Sequence, residues 1–232
     1  NLCLAKPSTT NTNPFGGRDM ITLYSKATSN GRKASIMLEE TGLPYTVRSM
    51  DLQKKEQKEA WFKAINPNGR IPAIVDDDGP DGETESVFES GAILIYLAEK
   101  SGKFLPPSGA ARATVMEWLF YASTHLTFSA MQVHWLIRLR DKGDPHHFLD
   151  LWKEENNRIY AAFEKGLNDG RTYLAGDDYS IADIAAWPWI HRWQMQEIDL
   201  AGFPRLKTWF DHIATRPAVQ TGLQIPPRDD GL

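Results

Sequence analysis

Cysteine is nearly absent. Cys3 is the single one in 232 residues, which excludes an internal disulfide framework, a Cys-x-x-Cys redox pair and a cysteine zinc site. Any thiol chemistry must therefore use a sulfur brought by another molecule. Long apolar runs are missing too: the best, Gly91 to Ala98, is far too short to span a bilayer. Positive charge is not in excess. With 26 Lys+Arg against 30 Asp+Glu, the formal net charge is −4 and the pI is near 5.9, so a nucleic-acid partner held on a broad basic face is not expected. The 6 histidines, His146-His147 among them, show no ligand spacing with carboxylates, and no metal is expected. What remains, 41% hydrophobic and 24% charged residues, suits a folded chain with one large domain or two small ones.

Residues 1–19 read as a tail. Pro7 to Pro14 is polar and turn-rich, and the segment lacks both the basic start and the apolar core of a secretory signal. From Met20 the pattern changes. Met20 to Tyr24 is a β-prone run, and Arg32 to Glu40 has the apolar spacing of a helix closed by Gly42 with Pro44 just beyond. Tyr45-Thr46-Val47 with Met50 alternates as a second strand, and Glu59 to Ile65 is a short charged helix. Ile71 to Val75 and Ser86 to Phe88 predict two further strands, parted by the Asp/Gly-rich turn Asp76 to Gly82, and Gly91 to Lys100 predicts a helix. The order β-α-β-α-β-β-α calls for a small mixed sheet carrying helices.

Phe104 to Gly109 is the boundary. Beyond it the periods are helical only: Ala111 to His125, Ser129 to Arg140, Phe148 to Leu167, Ile181 to Trp193 and Pro204 to Ala214. The reading is an α/β domain over 20–102, a linker over 103–109, an all-α domain over 110–224 and a short tail over 225–232.

Three segments could carry chemistry. In Asn66-Pro67-Asn68-Gly69-Arg70-Ile71-Pro72-Ala73-Ile74, a cis bond before Pro72 would turn the N–H and C=O of Ile71 outward to pair with an extended peptide. Taken alone, Ile-Pro is simply the start of a strand. In Phe88-Glu89-Ser90-Gly91 a strand runs into a helix N-terminus, which binds carboxylates, while Glu89 supplies an opposite charge. That pair suits an α-amino-carboxylate, or else Ser90 is an ordinary helix cap. Thr28-Ser29-Asn30-Gly31 lies between the first strand and the first helix, where Thr28 and Asn30 can donate hydrogen bonds to an anion but cannot act as strong bases. Helix capping explains these residues equally well. Together, a peptide edge, an amino-carboxylate clamp and an anion-stabilising loop on one βαβαββα unit describe a site for a small thiol peptide.

At these residues the sequence resembles the glutathione transferases. It is most similar to the bacterial nu-class disulfide-bond oxidoreductases and to the transferase domain of the fungal nitrogen-regulatory prion protein and its relatives. The likeness runs over nearly all of 20–224. It rests on the three segments, on Phe88 to Leu97, and on Tyr179-Ser180-Ile181-Ala182-Asp183-Ile184-Ala185-Ala186-Trp187-Pro188-Trp189.

The resemblance implies a thioredoxin-like domain followed by an all-helical one. It also implies a cytoplasmic homodimer with no membrane partner, and glutathione as co-substrate with a small disulfide or electrophile. Glu89 and Ser90 would hold the γ-glutamyl end. Ile71, before a cis Pro72, would pair with the cysteinyl unit, and Gln57 would contact the glycyl end. Thr28 and Asn30 would stabilise the thiolate. Ser29 stands where those relatives usually carry proline, which leaves the loop less rigid. The family's non-catalytic binding and regulatory members, ligand carriers among them, supply the alternative function.

Other branches hold the thiolate with a Tyr or Ser hydroxyl, but Tyr24 falls inside the first strand and Ser25 merely precedes Thr28. Among the aromatic residues Trp118, Phe120, Tyr121, His134 and Trp135, most are expected in the core and one or two in an apolar pocket for the second substrate. Ser180-Ile181-Ala182-Asp183 reads as a capping box, worth roughly 0.5–2 kcal/mol, with Tyr179 and Ile184 as its hydrophobic staple.

Overall fold

The computed structural model describes residues 20–144 and 147–228. The expected tail over 1–19, Cys3 and His146 lie outside the described residues. Four strands, β1 (Ile21–Ser25), β2 (Tyr45–Ser49), β3 (Ala73–Asp76) and β4 (Glu85–Phe88), form one sheet in the order β2-β1-β3-β4. β1 pairs with β2 in parallel, Leu23 opposite Val47, and with β3 antiparallel, Leu23 opposite Ile74. β3 pairs antiparallel with β4. Alternation along β1 sends Ile21 and Leu23 into the core.

Three helices belong with the sheet: α1 (Ser29–Thr41), α2 (Ala60–Ile65) and α3 (Ser90–Ser101). α1 stops where Gly42 takes a left-handed conformation and its N–H reaches the Leu38 carbonyl at 3.0 Å. Its start differs from the sequence reading. Thr28 is the cap, accepting from the Gly31 N–H at 3.1 Å, so Ser29 and Asn30 form the first helical turn rather than a loop. Gly31 is required there, because a Cβ would lie 2.2 Å from the Lys26 carbonyl oxygen.

The remaining helices are α4 (Gly109–Tyr121), α5 (Thr127–Asp141), α6 (Phe148–Gly166), α7 (Ile181–Ile190), α8 (Pro204–Ala214) and α9 (Pro217–Gly222). The sequence separates α4 from α5. The structure instead joins them through a π-helical turn over Ala122–Leu126, where the Thr127 N–H bonds the Ala122 carbonyl. α7 ends at Ile190, short of the Trp193 expected from the apolar pattern, because Trp193 begins a separate 3₁₀ turn.

α1 is the centrepiece, packed against α3, α7 and α9. Its contact with α9 is close enough that a Cβ on Gly222 would meet Ile36 Cα at 2.7 Å. The start of α7 is fixed by the capping box: Ala182 N–H donates to Ser180 Oγ at 3.3 Å, and Ser180 N–H donates to Asp183 Oδ2 at 3.0 Å. Asp183 also accepts from the Leu174 N–H at 2.9 Å and from Trp209 Nε1 at 2.8 Å. It therefore ties α7, α8 and the segment before α7 together, well beyond a local cap. Burial raises its carboxyl from the ordinary value against the pull of these donors. Among the described residues no helix is long and apolar enough to cross a membrane.

Candidate active site

A cleft between the sheet domain and the helices α5 and α7 has two lobes that share Asn30, Arg70, Ile71 and Met131. The smaller, about 330 Å³, is lined by Pro72, Glu89 and Ser90 together with Ser123, Thr124 and Thr127 of the α4–α5 rod. The larger, about 650 Å³, is lined by Thr28, Ser29, Gln57, His134, Trp135 and Arg192 among others. All seven residues singled out by sequence, Thr28, Asn30, Gln57, Ile71, Pro72, Glu89 and Ser90, line this cleft.

The local backbone explains several of them. The Ile71–Pro72 bond is cis. β3 begins only at Ala73, and neither the N–H nor the C=O of Ile71 has an intrachain partner among the described residues. That is an open edge for an extended peptide. Glu89, not Ser90, is the N-cap of α3, held at φ 70° with no side-chain capping bond. Its exposed carboxylate has no hydrogen-bond or ion-pair partner among the described residues. Ser90 is the first helical residue and is buried, so the alternative that it is merely a cap is set aside. Asn66, from its Nδ2, donates to the Arg70 carbonyl at 2.6 Å and so shapes the chain leading to Ile71.

Asn30 is oriented from the other domain. Trp189 Nε1 on α7 donates to Asn30 Oδ1 at 2.9 Å, leaving the two N–H donors of the carboxamide for a ligand. Thr28 Oγ1 already accepts from Gly31, so its own proton remains available. Buried polar atoms without a protein partner gather here as well: Ser29 Oγ and Gln57 Oε1 beside the larger lobe, with His134 Nε2, and Ser123 Oγ beside the smaller. Such atoms can bond a polar ligand.

The helical domain adds positive charge that sequence reasoning did not locate. Arg192 reaches across to the Ala27 carbonyl at 3.2 Å, just before Thr28. Burial, then Arg228 and Arg138, lower its pKa. Arg32, lowered to about 10 by burial and by Arg228 and Arg192, donates to the Gly222 and Pro226 carbonyls at 3.3 and 2.9 Å. His134 is pushed down to about 4 by burial and by Arg192 and Arg138, so it is neutral at ordinary pH. A cluster of cations near the α1 N-terminus raises the local potential and favours an anion there.

The competing hydroxyls lie elsewhere. Tyr24 packs against Trp61 and Phe62, and burial raises its pKa. Ser25 is fully buried and its Oγ meets the Lys26 carbonyl at 3.4 Å. Of the aromatic residues from which one or two were expected in a pocket, His134 and Trp135 line the larger lobe. Trp118 and Tyr121 pack on Phe163, as expected of core residues, whereas Phe120 stands exposed to solvent. Among the described residues no group of three or more His, Cys, Asp or Glu side chains could hold a metal ion.

Residues 29–100 match the model of the glutathione S-transferase N-terminal domain, and residues 126–217 match that of the C-terminal domain. The chain belongs to the glutathione S-transferase family. Among relatives of this transferase-family chain, the disulfide-bond oxidoreductase YfcG of Escherichia coli is 42% identical over 205 residues, covering 88% of this chain and 94% of that one. A glutathione transferase from Pseudomonas putida, solved with one glutathione disulfide per subunit, superposes with a TM-score of 0.85 at 36% identity, covering 92% of this chain and 94% of that one. Ure2p, solved in complex with glutathione, superposes with a TM-score of 0.82 at 28% identity, covering 89% and 99%. Both branches seen in the sequence motifs are thus present among the relatives.

Proposed function

We propose that this chain binds glutathione across the two lobes and activates its sulfur as a thiolate for disulfide exchange, with conjugation to electrophiles as a lesser reaction. The observation that carries this is the joining of an unpaired Ile71 backbone, the Glu89–Ser90 end of α3 and the oriented Asn30 amide in one cleft. The γ-glutamyl ammonium meets Glu89. Its carboxylate meets Ser90 and the α3 N-terminus. The cysteinyl unit pairs with the Ile71 backbone, and Gln57 takes the glycyl end.

A free thiol has a pKa of about 8.5, so lowering it by about two units requires roughly 2.7 kcal/mol in favour of the thiolate. Hydrogen bonds from Thr28 and Asn30, the α1 N-terminus and the Arg192 charge together supply that order of energy. The thiolate attacks one sulfur of a substrate disulfide. A new S–S bond forms to glutathione, and the other sulfur leaves as a thiolate that takes a proton. A second glutathione then resolves the mixed disulfide, giving glutathione disulfide and a second substrate thiol. The chain needs no cysteine of its own in this scheme. A homodimer belongs to the same reading, supported by the exposed Phe120 on α4, outside both lobes, and light scattering measures its mass.

The test is turnover of the purified protein with reduced glutathione, comparing a small mixed disulfide with a chloronitrobenzene electrophile. Faster disulfide reduction is expected. Faster conjugation would make it a detoxifying transferase that uses the larger lobe for its electrophile. If neither reaction runs while glutathione binds, the chain is a binding or regulatory module instead.

A further inference from the structure

Lys33, on α1, is fully buried. Its ammonium donates to Thr127 Oγ1 at 3.1 Å and has no carboxylate within ion-pair distance among the described residues. Thr127 in turn donates to the Ala122 carbonyl at 2.9 Å, inside the π turn, and lines the smaller lobe with Glu89, Ser90 and Ser123. One hydroxyl therefore separates a buried amine from the pocket proposed for the γ-glutamyl group. A lone buried ammonium is costly, and nothing in the capping or packing of α1 requires one.

The surrounding charges isolate it further. Glu89 is the one group whose charge acts on Lys33 appreciably, in favour of the protonated form. On α1 itself, Arg32 is spent on the Gly222 and Pro226 carbonyls, Glu39 on Tyr45, and Glu40 on Arg216 at the start of α9. On α3, Tyr96 and Lys100 bond Asp76, and Glu99 pairs with Arg112. On α7, Asp183 is held by Ser180, Leu174 and Trp209, while Arg192, just beyond its end, turns to Ala27. On the α4–α5 rod, His125 stacks on Tyr121, Arg140 pairs with Asp141 and Glu197, and Arg138 lines the larger lobe. On β1, Tyr24 faces Trp61 and Phe62. Burial, the largest cause, pushes the Lys33 amine down to about 7.

We infer that Lys33 is the buried counter-charge of the glutathione pocket, taking up a proton when the ligand's γ-glutamyl carboxylate enters beside Ser90 and releasing it when the ligand leaves. The inference rests on the glutathione reading above. The ligand's own ammonium stays at the exposed Glu89, which it offsets, while its carboxylate enters at the buried Ser90 in the lobe that Thr127 lines, and that buried negative charge favours the ammonium of Lys33 over the amine. The proton comes from solvent, so binding weakens as pH rises.

The test uses S-methylglutathione, which has no thiol proton to lose. Calorimetric titration at pH 8 in two buffers of different ionisation enthalpy counts the protons exchanged. Uptake of about half a proton or more per ligand is expected, with Kd rising by up to about tenfold per pH unit above about pH 7. In Lys33→Met the uptake should vanish and the pH dependence flatten. Lys33→Gln, which keeps a donor for Thr127, replaces it should the methionine variant not fold. Binding by the wild type without proton uptake overturns the inference and leaves the glutathione reading standing, and so does uptake that persists in either variant. Failure of S-methylglutathione to bind at millimolar concentration overturns both.

Discussion

Trp189 Nε1 donates to Asn30 Oδ1 at 2.9 Å, a hydrogen bond between residues 159 positions apart in sequence. It joins the helical domain to the first turn of α1 and decides which face of the carboxamide meets the cleft. With Oδ1 engaged, the amide presents donors, the polarity that a thiolate needs and a thiol does not.

Replacing Trp189 by Phe removes that bond while keeping an aromatic ring. The Asn30 amide is then free to flip, and turnover should fall about tenfold, the value of roughly one hydrogen bond. KM for glutathione should change by less. Steady-state kinetics reads the split, and unchanged turnover would show that Trp189 does not orient the amide.

Asn30→Ala deletes the donors themselves. Turnover should drop by about 10²–10³, the usual cost of losing one preorganised donor to a developing anion. Glutathione affinity should change little, because Glu89, Ser90 and Ile71 carry the binding. A parallel loss of affinity, seen by titration, would assign Asn30 to binding rather than to sulfur activation.

Asp183→Ala tests a structural role. Its carboxylate accepts from Ser180, Leu174 and Trp209, all buried. Losing it strands several donors at about 1–3 kcal/mol each, so the cost should exceed the roughly 1 kcal/mol of a simple cap. Denaturant unfolding measures it. A loss within the ordinary capping range would mean that water or rearrangement satisfies those donors.

Lys33 gives a pH dependence of stability with a definite sign. The folded chain holds this proton more weakly, near 7, than an unfolded chain does, at 10.5. The unfolded state therefore binds more protons between these values, and the lysine penalises folding fully below about pH 7 and progressively less above it. The melting temperature of Lys33→Met relative to wild type should be highest near pH 6 and decline toward pH 9. A difference independent of pH would show that the amine stays charged throughout.

Much of the site was legible in the sequence because it is built from local signals. A proline opening a strand, an acid and a serine at a strand-to-helix junction, and Thr-x-Asn-Gly before an amphipathic period are each local signals with an ordinary reading of their own, and it is their combination, with the resemblance it carries, that points to the cleft. The capping box at Ser180 and Asp183 is local in the same way. The apolar periods of α5, α6 and α8 were sufficient to find them.

Tertiary structure decided the rest. No local pattern marks the π turn, whose i→i+5 bond joins the Thr127 N–H to the Ala122 carbonyl. Ser123 and Thr124 of that turn, and Thr127 just after it, line the smaller lobe. Arg192, Trp189 and Lys33 are silent in sequence because each acts on a partner brought near only by docking α7 and α5 onto α1. The sequence by itself determined the elements of the sheet domain and the residue types on its half of the cleft, since these depend on propensities and caps within a few residues. The orientation of the Asn30 amide, the positive potential around it and the burial of Lys33 came only with the packed fold, since hydrogen-bond direction, desolvation and charge proximity are properties of distances across the core.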